Sequence, residues 1–408
     1  MLSAHDTVYL MERELQDVMD RLGGYMNTRS RAYAAEKWEI LHEVQTVLPH
    51  VSFERFCFLY DATFSLLWQQ MDDFVTTQTD IAEGLIKPAL GRFSEYPLPG
   101  GDRIGWVINN ATIGMYAPFK NVLGYLLGMQ PCDVFVTGAY DGAAMQRMKD
   151  CGHRVYVVGG SPEDKVANIR ATCEAQGIGT LIADIYLSVP LALFAMRSAP
   201  LQLYLTPGFQ LFPCDYVLMT DAQKPIADNC VEIPAVTMPM RAEPKVRQDK
   251  FVFGCLSRFE KMSDTYLDMV SDVLDAVPGA EFHAYGRGEF PGKHPRMINK
   301  GFEDALEALA KIDVYLDTWP VCSATSAWEA MVSGVPIVTL QHEGVDSWNR
   351  IKPIVVDTRE EWLAAAVDLT TNNQRYREAA HKGKLAMAPL MDTKKAGVAL
   401  EKAIRGLQ

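Results

Sequence analysis

Hydrophobic positions in the first 96 residues recur at intervals of three and four: Tyr9, Leu10, Leu15, Val18, Met19 and Leu22; Trp38, Leu41, Val44, Gln45 and Leu48; Phe64, Leu67, Trp68, Met71 and Phe74. That spacing lines one face of a helix, so the pattern predicts an all-helical region. Glycine and proline stay sparse until Pro97-Leu98-Pro99-Gly100-Gly101 breaks the periodicity and marks a boundary. Aromatic residues in this region, among them Trp38, Phe56, Phe58, Tyr60, Phe64 and Trp68, are too many to be exposed together, so most are expected in a helix-packing core.

From residue 103 the pattern changes to short β-rich runs alternating with helix-length stretches. Strands are predicted at 103–109, 133–138, 154–160, 180–185, 201–206 and 216–220, with helices at 118–129, 142–151, 162–176 and 190–198. After the proline-rich passage Pro234 to Lys250, the same alternation restarts. Strands are expected there at 251–256, 281–285, 297–299, 314–317, 337–340 and 354–356, and helices at 264–276, 303–310, 326–333, 360–370 and 393–406. Strand-helix alternation at this spacing gives a parallel sheet covered on both faces. The expected architecture is α/β: a helical region over 1–98, a Rossmann-like domain over 99–240 and a second over 241–408. Two such halves enclose a cleft at the carboxyl ends of their strands, where open α/β sheets bind ligands.

Composition narrows the classes. The 408 residues are 48% hydrophobic, enough for a core in each domain, and 39 basic against 51 acidic side chains give a formal charge of −12. That balance disfavours phosphate-backbone binding, so nucleic acid is not the expected partner. The longest apolar stretch, Val189 to Met196, is far short of the roughly 20 residues needed to span a bilayer. Glu12, Arg13 and Glu14 fall where a signal peptide needs its apolar block, so a cytoplasmic chain is expected. Eight scattered cysteines, never closer than sixteen positions, form no metal-ligand spacing and read as reduced core thiols; neither metal nor bound cofactor is expected.

Candidate chemistry lies in the last third of the chain. No Gly-x-Gly-x-x-Gly stands between a strand and a helix, and no P-loop motif is present, so a phosphate-bearing ligand needs other holders. In Asp313-Val314-Tyr315-Leu316-Asp317-Thr318 the expected strand runs into a hydroxyl-rich loop, Cys322-Ser323-Ala324-Thr325-Ser326, and then a helix carrying Glu329. Free N–H groups and the Thr325 and Ser326 hydroxyls at that helix start make an anion site, one turn from Glu329, whose carboxylate suits ribose hydroxyls. The same residues also read as a helix cap with a capping-box acid. Ser257, Arg258 and Lys261 follow another strand and supply cations for a diphosphate, or simply surface charge. The loops at Tyr285-Gly286-Arg287-Gly288 and Asn299-Lys300-Gly301-Phe302 let backbone approach a flat base.

The order of these pieces resembles the donor half of GT-B glycosyltransferases: Ser-Arg-x-x-Lys after a strand, a strand ending Tyr-Gly, Gly-Phe before a helix, and Asp-Val-x-Leu-Asp-Thr. A Glu-bearing helix before Gly334-Val335-Pro336 completes it. Within that fold the chain most resembles the O-GlcNAc transferase and bacterial protein N-glucosyltransferase families, over about residues 100 to 400. The resemblance implies a UDP-linked sugar donor held by Ser257, Arg258, Lys261, Tyr285, Gly286, Phe302, Thr318, Ala324, Thr325, Ser326 and Glu329, a protein side chain as acceptor, and inversion at the sugar carbon. The family's histidine before two hydroxyl residues is Ala324 here, and the upstream acid used by retaining relatives falls in Pro320-Val321-Cys322. A GT-B-fold epimerase or hydrolase, or a non-catalytic donor-binding partner, stays as an alternative. For the general base the strand ends offer Asn109-Asn110, Asp141, Asp184 and Asp221, with Asp141 the choice; each also reads as a turn or cap. The helical region is expected to select the acceptor and leave the donor alone.

Overall fold

Seven strands build the first sheet: β1 Arg103–Ile108, β2 Asp133–Val136, β3 Arg154–Val157, β4 Ile178–Ala183, β5 Leu201–Leu205, β6 Tyr216–Thr220 and β7 Cys230–Ile233. All pair in parallel in the order β3-β2-β1-β4-β5-β6-β7. Six further parallel strands, β8 Val252–Leu256, β9 Glu281–Tyr285, β10 Met297–Gly301, β11 Val314–Leu316, β12 Ile337–Leu340 and β13 Ile354–Val356, form the second in the order β10-β9-β8-β11-β12-β13. The structure, a computed structural model, describes residues 4–28, 31–69, 81–114, 118–184, 187–205, 213–220, 228–246, 249–320, 322–323, 325–341 and 351–408. Chain order reverses between β1 and β4 in one sheet and between β8 and β11 in the other, and each reversal opens a crevice at the strands' carboxyl ends.

Local sequence explains the element ends. Ser161 and Asp164 cap the helix Pro162–Gln176 reciprocally, and its last turn closes on Gly177 in the left-handed region at φ 63°. Thr358 and Glu361 do the same at the start of Arg359–Thr371. Two elements escape the hydrophobic pattern. The edge strand β7 is Cys-Val-Glu-Ile, too short and mixed to show alternation. The helix Asn373–Met387 buries only Ala379, Gly383 and Met387, at helical spacing but without bulk.

The helical region shares one core with the first sheet. Leu22, Tyr25, Ile40, Phe56, Tyr60 and Leu85 belong to the same buried cluster as Val107, Leu181 and Leu193. The helix Phe53–Gln69 packs on Pro162–Gln176 and Ser188–Ala195. Asp61 accepts from the Ser188 N–H at 2.7 Å and from its hydroxyl at 3.0 Å. Of the aromatics weighed above, Phe56, Tyr60 and Phe64 are buried, while Trp38 is 41% exposed; Lys37 takes the inward position instead. Met71 and Phe74 lie outside the described residues.

The last helix, Thr393–Leu407, returns to the first half, placing Ala396, Leu400 and Ile404 in the core with Trp106, Ile108 and Leu123. Its approach needs bare backbone: a Cβ on Gly128 would stand 1.8 Å from the Thr393 carbonyl oxygen. Among the described residues no helix is long and apolar enough to cross a membrane.

Candidate functional site

The β8/β11 crevice gathers the separate sequence pieces. After β8, Ser257 donates its N–H to the Tyr285 carbonyl at 3.0 Å, and Gly286 donates to the Gly301 carbonyl at 2.9 Å, so three strand ends lie side by side. A Cβ on Gly286 would sit 2.0 Å from the Ser257 carbonyl oxygen, so only glycine permits this approach. Beyond it Phe302 is 48% exposed with the Arg287 guanidinium 4.1 Å over its ring, an aromatic platform at the crevice rim. Tyr285 is buried, and desolvation pushes its hydroxyl up to about 12.

Lys261 ends the short turn Phe259–Lys261, half-buried, with Arg258 exposed beside it. Burial first, and then the Arg258 charge, bring the Lys261 ammonium down to about 8, although Cys322, Glu260 and Asp317 pull the other way. A cation held in that state is under-neutralised, and an anion bound there restores its charge.

Asp317, at the end of β11, organises the facing loop. Its Oδ1 accepts from the N–H groups of Thr318 at 3.0 Å and Ser323 at 2.7 Å; its Oδ2 accepts from the Thr339 hydroxyl at 2.9 Å and Lys352 Nζ at 2.5 Å. All of these residues are buried. The Tyr315 hydroxyl lies 2.9 Å from the Ser323 hydroxyl and donates to the Leu256 carbonyl at 3.0 Å, joining this loop to β8. The loop leads into the helix Thr325–Ser333, with Thr325 buried and Ser326 half-buried at its start; Ala324 lies outside the described residues.

Glu329 is 1% exposed, and its carboxylate forms an ion pair with Lys120, on the helix Phe119–Leu126 of the first half. Desolvation raises the Glu329 pKa, opposed by the Lys120 charge. In this conformation the Glu329 carboxylate faces the first half. Pattern reading missed Lys120; its signal is a lysine inside the apolar run Phe119 to Leu126. Lys352, between Ile351 and Pro353, carries the same kind of signal.

In the first half, Asp141 caps a helix. Its Oδ1 accepts from the Ala144 N–H and its Oδ2 from the Ile113 N–H, both at 2.7 Å. Both oxygens accept from backbone N–H groups, as the turn-and-cap reading of this residue has it. Asn110 likewise accepts from the Thr112 N–H at 3.1 Å and its hydroxyl at 2.6 Å. Asp221 lies outside the described residues. No group of three potential metal ligands occurs among the described residues.

Two parallel, doubly wound sheets with facing crevices, one lined by donor-type loops, and a last helix crossing back to the first half define the GT-B fold. Over its full length the chain is similar to a lysine-to-methionine mutant of Thermobaculum terrenum O-GlcNAc transferase, at 16% identity and TM-score 0.66, covering 100% of this chain and 98% of that one. It is also similar to Anabaena HepE in complex with UDP and glucose, at 14% identity and TM-score 0.54, covering 74% of this chain and 99% of that one. No family model and no curated protein sequence matches it.

Proposed function

We propose that this chain is a glycosyltransferase that moves a sugar from a UDP-linked donor to a protein side chain, with inversion at the sugar carbon. The observation that carries the reading is the under-neutralised Lys261 beside Arg258, at the β8/β11 reversal and next to the loop that Asp317 holds. Lys261 and Arg258 take the diphosphate, with the start of Thr325–Ser333 adding N–H and hydroxyl donors. Ser257, Tyr285, Gly286 and Phe302 line the edge where a base stacks, and Thr318 lies in the wall between. Glu329 meets the ribose once Lys120 moves off it.

The O-GlcNAc transferase likeness over the whole chain supports sugar transfer, and HepE holding UDP and glucose supports the donor class. Inversion is favoured because Pro320 and Cys322 stand where retaining relatives place an acid. Neutralisation of the diphosphate by two cations leaves no requirement for a resident metal, so a chelator should not change the rate. All eight cysteines are free, which suits a cytoplasmic setting. The decisive assay follows UDP release from UDP-GlcNAc and UDP-glucose with and without an added protein fraction. Release that depends on acceptor supports transfer; release without acceptor points to hydrolysis or epimerisation, and binding without turnover to a non-catalytic partner.

A further inference from the structure

We propose that Asp184 is the residue that takes the proton from the acceptor hydroxyl, and that the acceptor binds over the β1/β4 reversal of the first sheet. The inference rests on the sugar-transfer reading. β4 ends at Ala183, which pairs with Val107 of β1, so Asp184 and Asn109 leave neighbouring strand ends at the place where chain order reverses. The second sheet carries its donor-type residues at the equivalent place, β8/β11. The crevices face each other: Lys120, on the helix that follows β1, pairs with Glu329, on the helix that follows β11. A Cβ on Gly114 in the intervening loop would lie 3.8 Å from Asp304 Oδ2 of the second half.

The buried aspartates of the first half differ in how their oxygens are met. Asp133 is met by Arg103, Arg154 and Tyr156. Asp61 has Ser188 on both oxygens, and Asp141 has two backbone amides. Asp184 is 9% exposed, and only its own backbone N–H and that of Asn109 favour its charged form. Its Oδ1 has no hydrogen-bond partner among the described residues. A buried carboxylate oxygen left bare at a ligand crevice is costly to folding and suits a group whose partner arrives with substrate. Burial also lifts this carboxyl to about 7, where the ionised form is present at neutral pH and more basic than an ordinary aspartate.

In the step, the acceptor oxygen bonds to the sugar's anomeric carbon as the bond from that carbon to the diphosphate oxygen breaks. The bonding electrons leave with UDP, and the hydroxyl proton ends on Asp184 Oδ1. No other reactant is needed.

The test uses the full chain, UDP-GlcNAc as donor, a protein fraction as acceptor, and sodium azide as a nucleophile that carries no proton. Asp184→Asn should bind UDP within twofold of wild type and melt no lower, since it removes a poorly paired buried charge, yet transfer about a hundredfold to ten-thousandfold more slowly. Asp184→Ala should be equally slow but regain UDP release with azide and yield the glycosyl azide, an effect absent from wild type. A merely structural aspartate would lower the melting temperature on substitution and show no azide rescue, and that result overturns the assignment. So does Asp184→Asn transferring at the wild-type rate. A wild-type chain that never turns over donor would instead remove the transferase reading on which the assignment stands.

Discussion

Lys120 and Glu329 form a buried ion pair between the two halves, the lysine from the helix after β1 and the glutamate from the helix after β11. Both side chains are at most 5% exposed, so each charge depends on the other for its solvation. The contact ties the two halves together.

Removing one partner leaves the other charge buried and unpaired. Lys120→Ala and Glu329→Gln should therefore each destabilise the chain, Lys120→Ala by about 3–5 kcal/mol. The double change Lys120→Met with Glu329→Leu should recover most of that loss. Denaturant titrations of the four proteins check this. Single variants as stable as wild type would show that the pair contributes nothing to joining the halves.

Nucleotide affinity should depend on pH through Lys261. Its pKa is lowered to about 8, so the ammonium is present at pH 7 and mostly lost by pH 9. UDP binding should weaken as pH rises through that range, while uridine binding stays level. Lys261→Met should weaken UDP binding by about 1.5–3 kcal/mol at pH 7 and abolish the pH dependence. Calorimetry at both pH values measures each effect, and a pH-independent wild type would take Lys261 out of the diphosphate site.

Asp317→Asn removes the charge facing Lys352 and should destabilise the chain by about 3–5 kcal/mol. It also weakens the hold on the Ser323 N–H, so amide exchange at Ser323 should quicken. Burial works against the Lys352 charge, but Asp317 and Cys322 outweigh it and keep its pKa above 10.5. The pair's stabilisation is thus complete below about pH 10.5 and is lost as pH rises through the higher folded value. Thermal melts of wild type and Asp317→Asn at pH 7 measure the loss, and equal melting temperatures would show that the pair does not support the fold.

Deleting residues 1–96 should not give a soluble donor-binding fragment. Leu22, Tyr25, Phe56, Tyr60 and Leu85 share a core with the first sheet, and each large apolar side chain uncovered forgoes about 1.5–3 kcal/mol. The segment also reaches the second half, where the Tyr25 hydroxyl donates to Glu260 Oε2 at 2.9 Å, one residue before Lys261. Size-exclusion chromatography of the 97–408 chain should show aggregate. A monodisperse fragment with a cooperative melt would show instead that the helical region is separable.

The sequence alone determined what depends on neighbours along the chain. Period three-to-four against short apolar runs separated the helical region from the two α/β halves, and β9, β12 and β13 fall on the predicted residues. The pieces of the β8/β11 crevice were legible because each follows its own strand, and a parallel sheet collects strand ends at one edge. Elements without apolar bulk, β7 and Asn373–Met387, left no such trace. Tertiary structure decided which charges meet. Glu329 lies 209 positions from Lys120, and Lys352 lies 35 from Asp317. Asp141 and Asp184 look alike in sequence, each an aspartate after a strand. One caps a helix with Oδ1 and holds the Ile113 N–H with Oδ2, while Oδ1 of the other has no hydrogen-bond partner among the described residues. Pattern cannot separate them, because whether a buried oxygen is satisfied depends on which amides the folded chain brings within 3 Å, and strand order sets that.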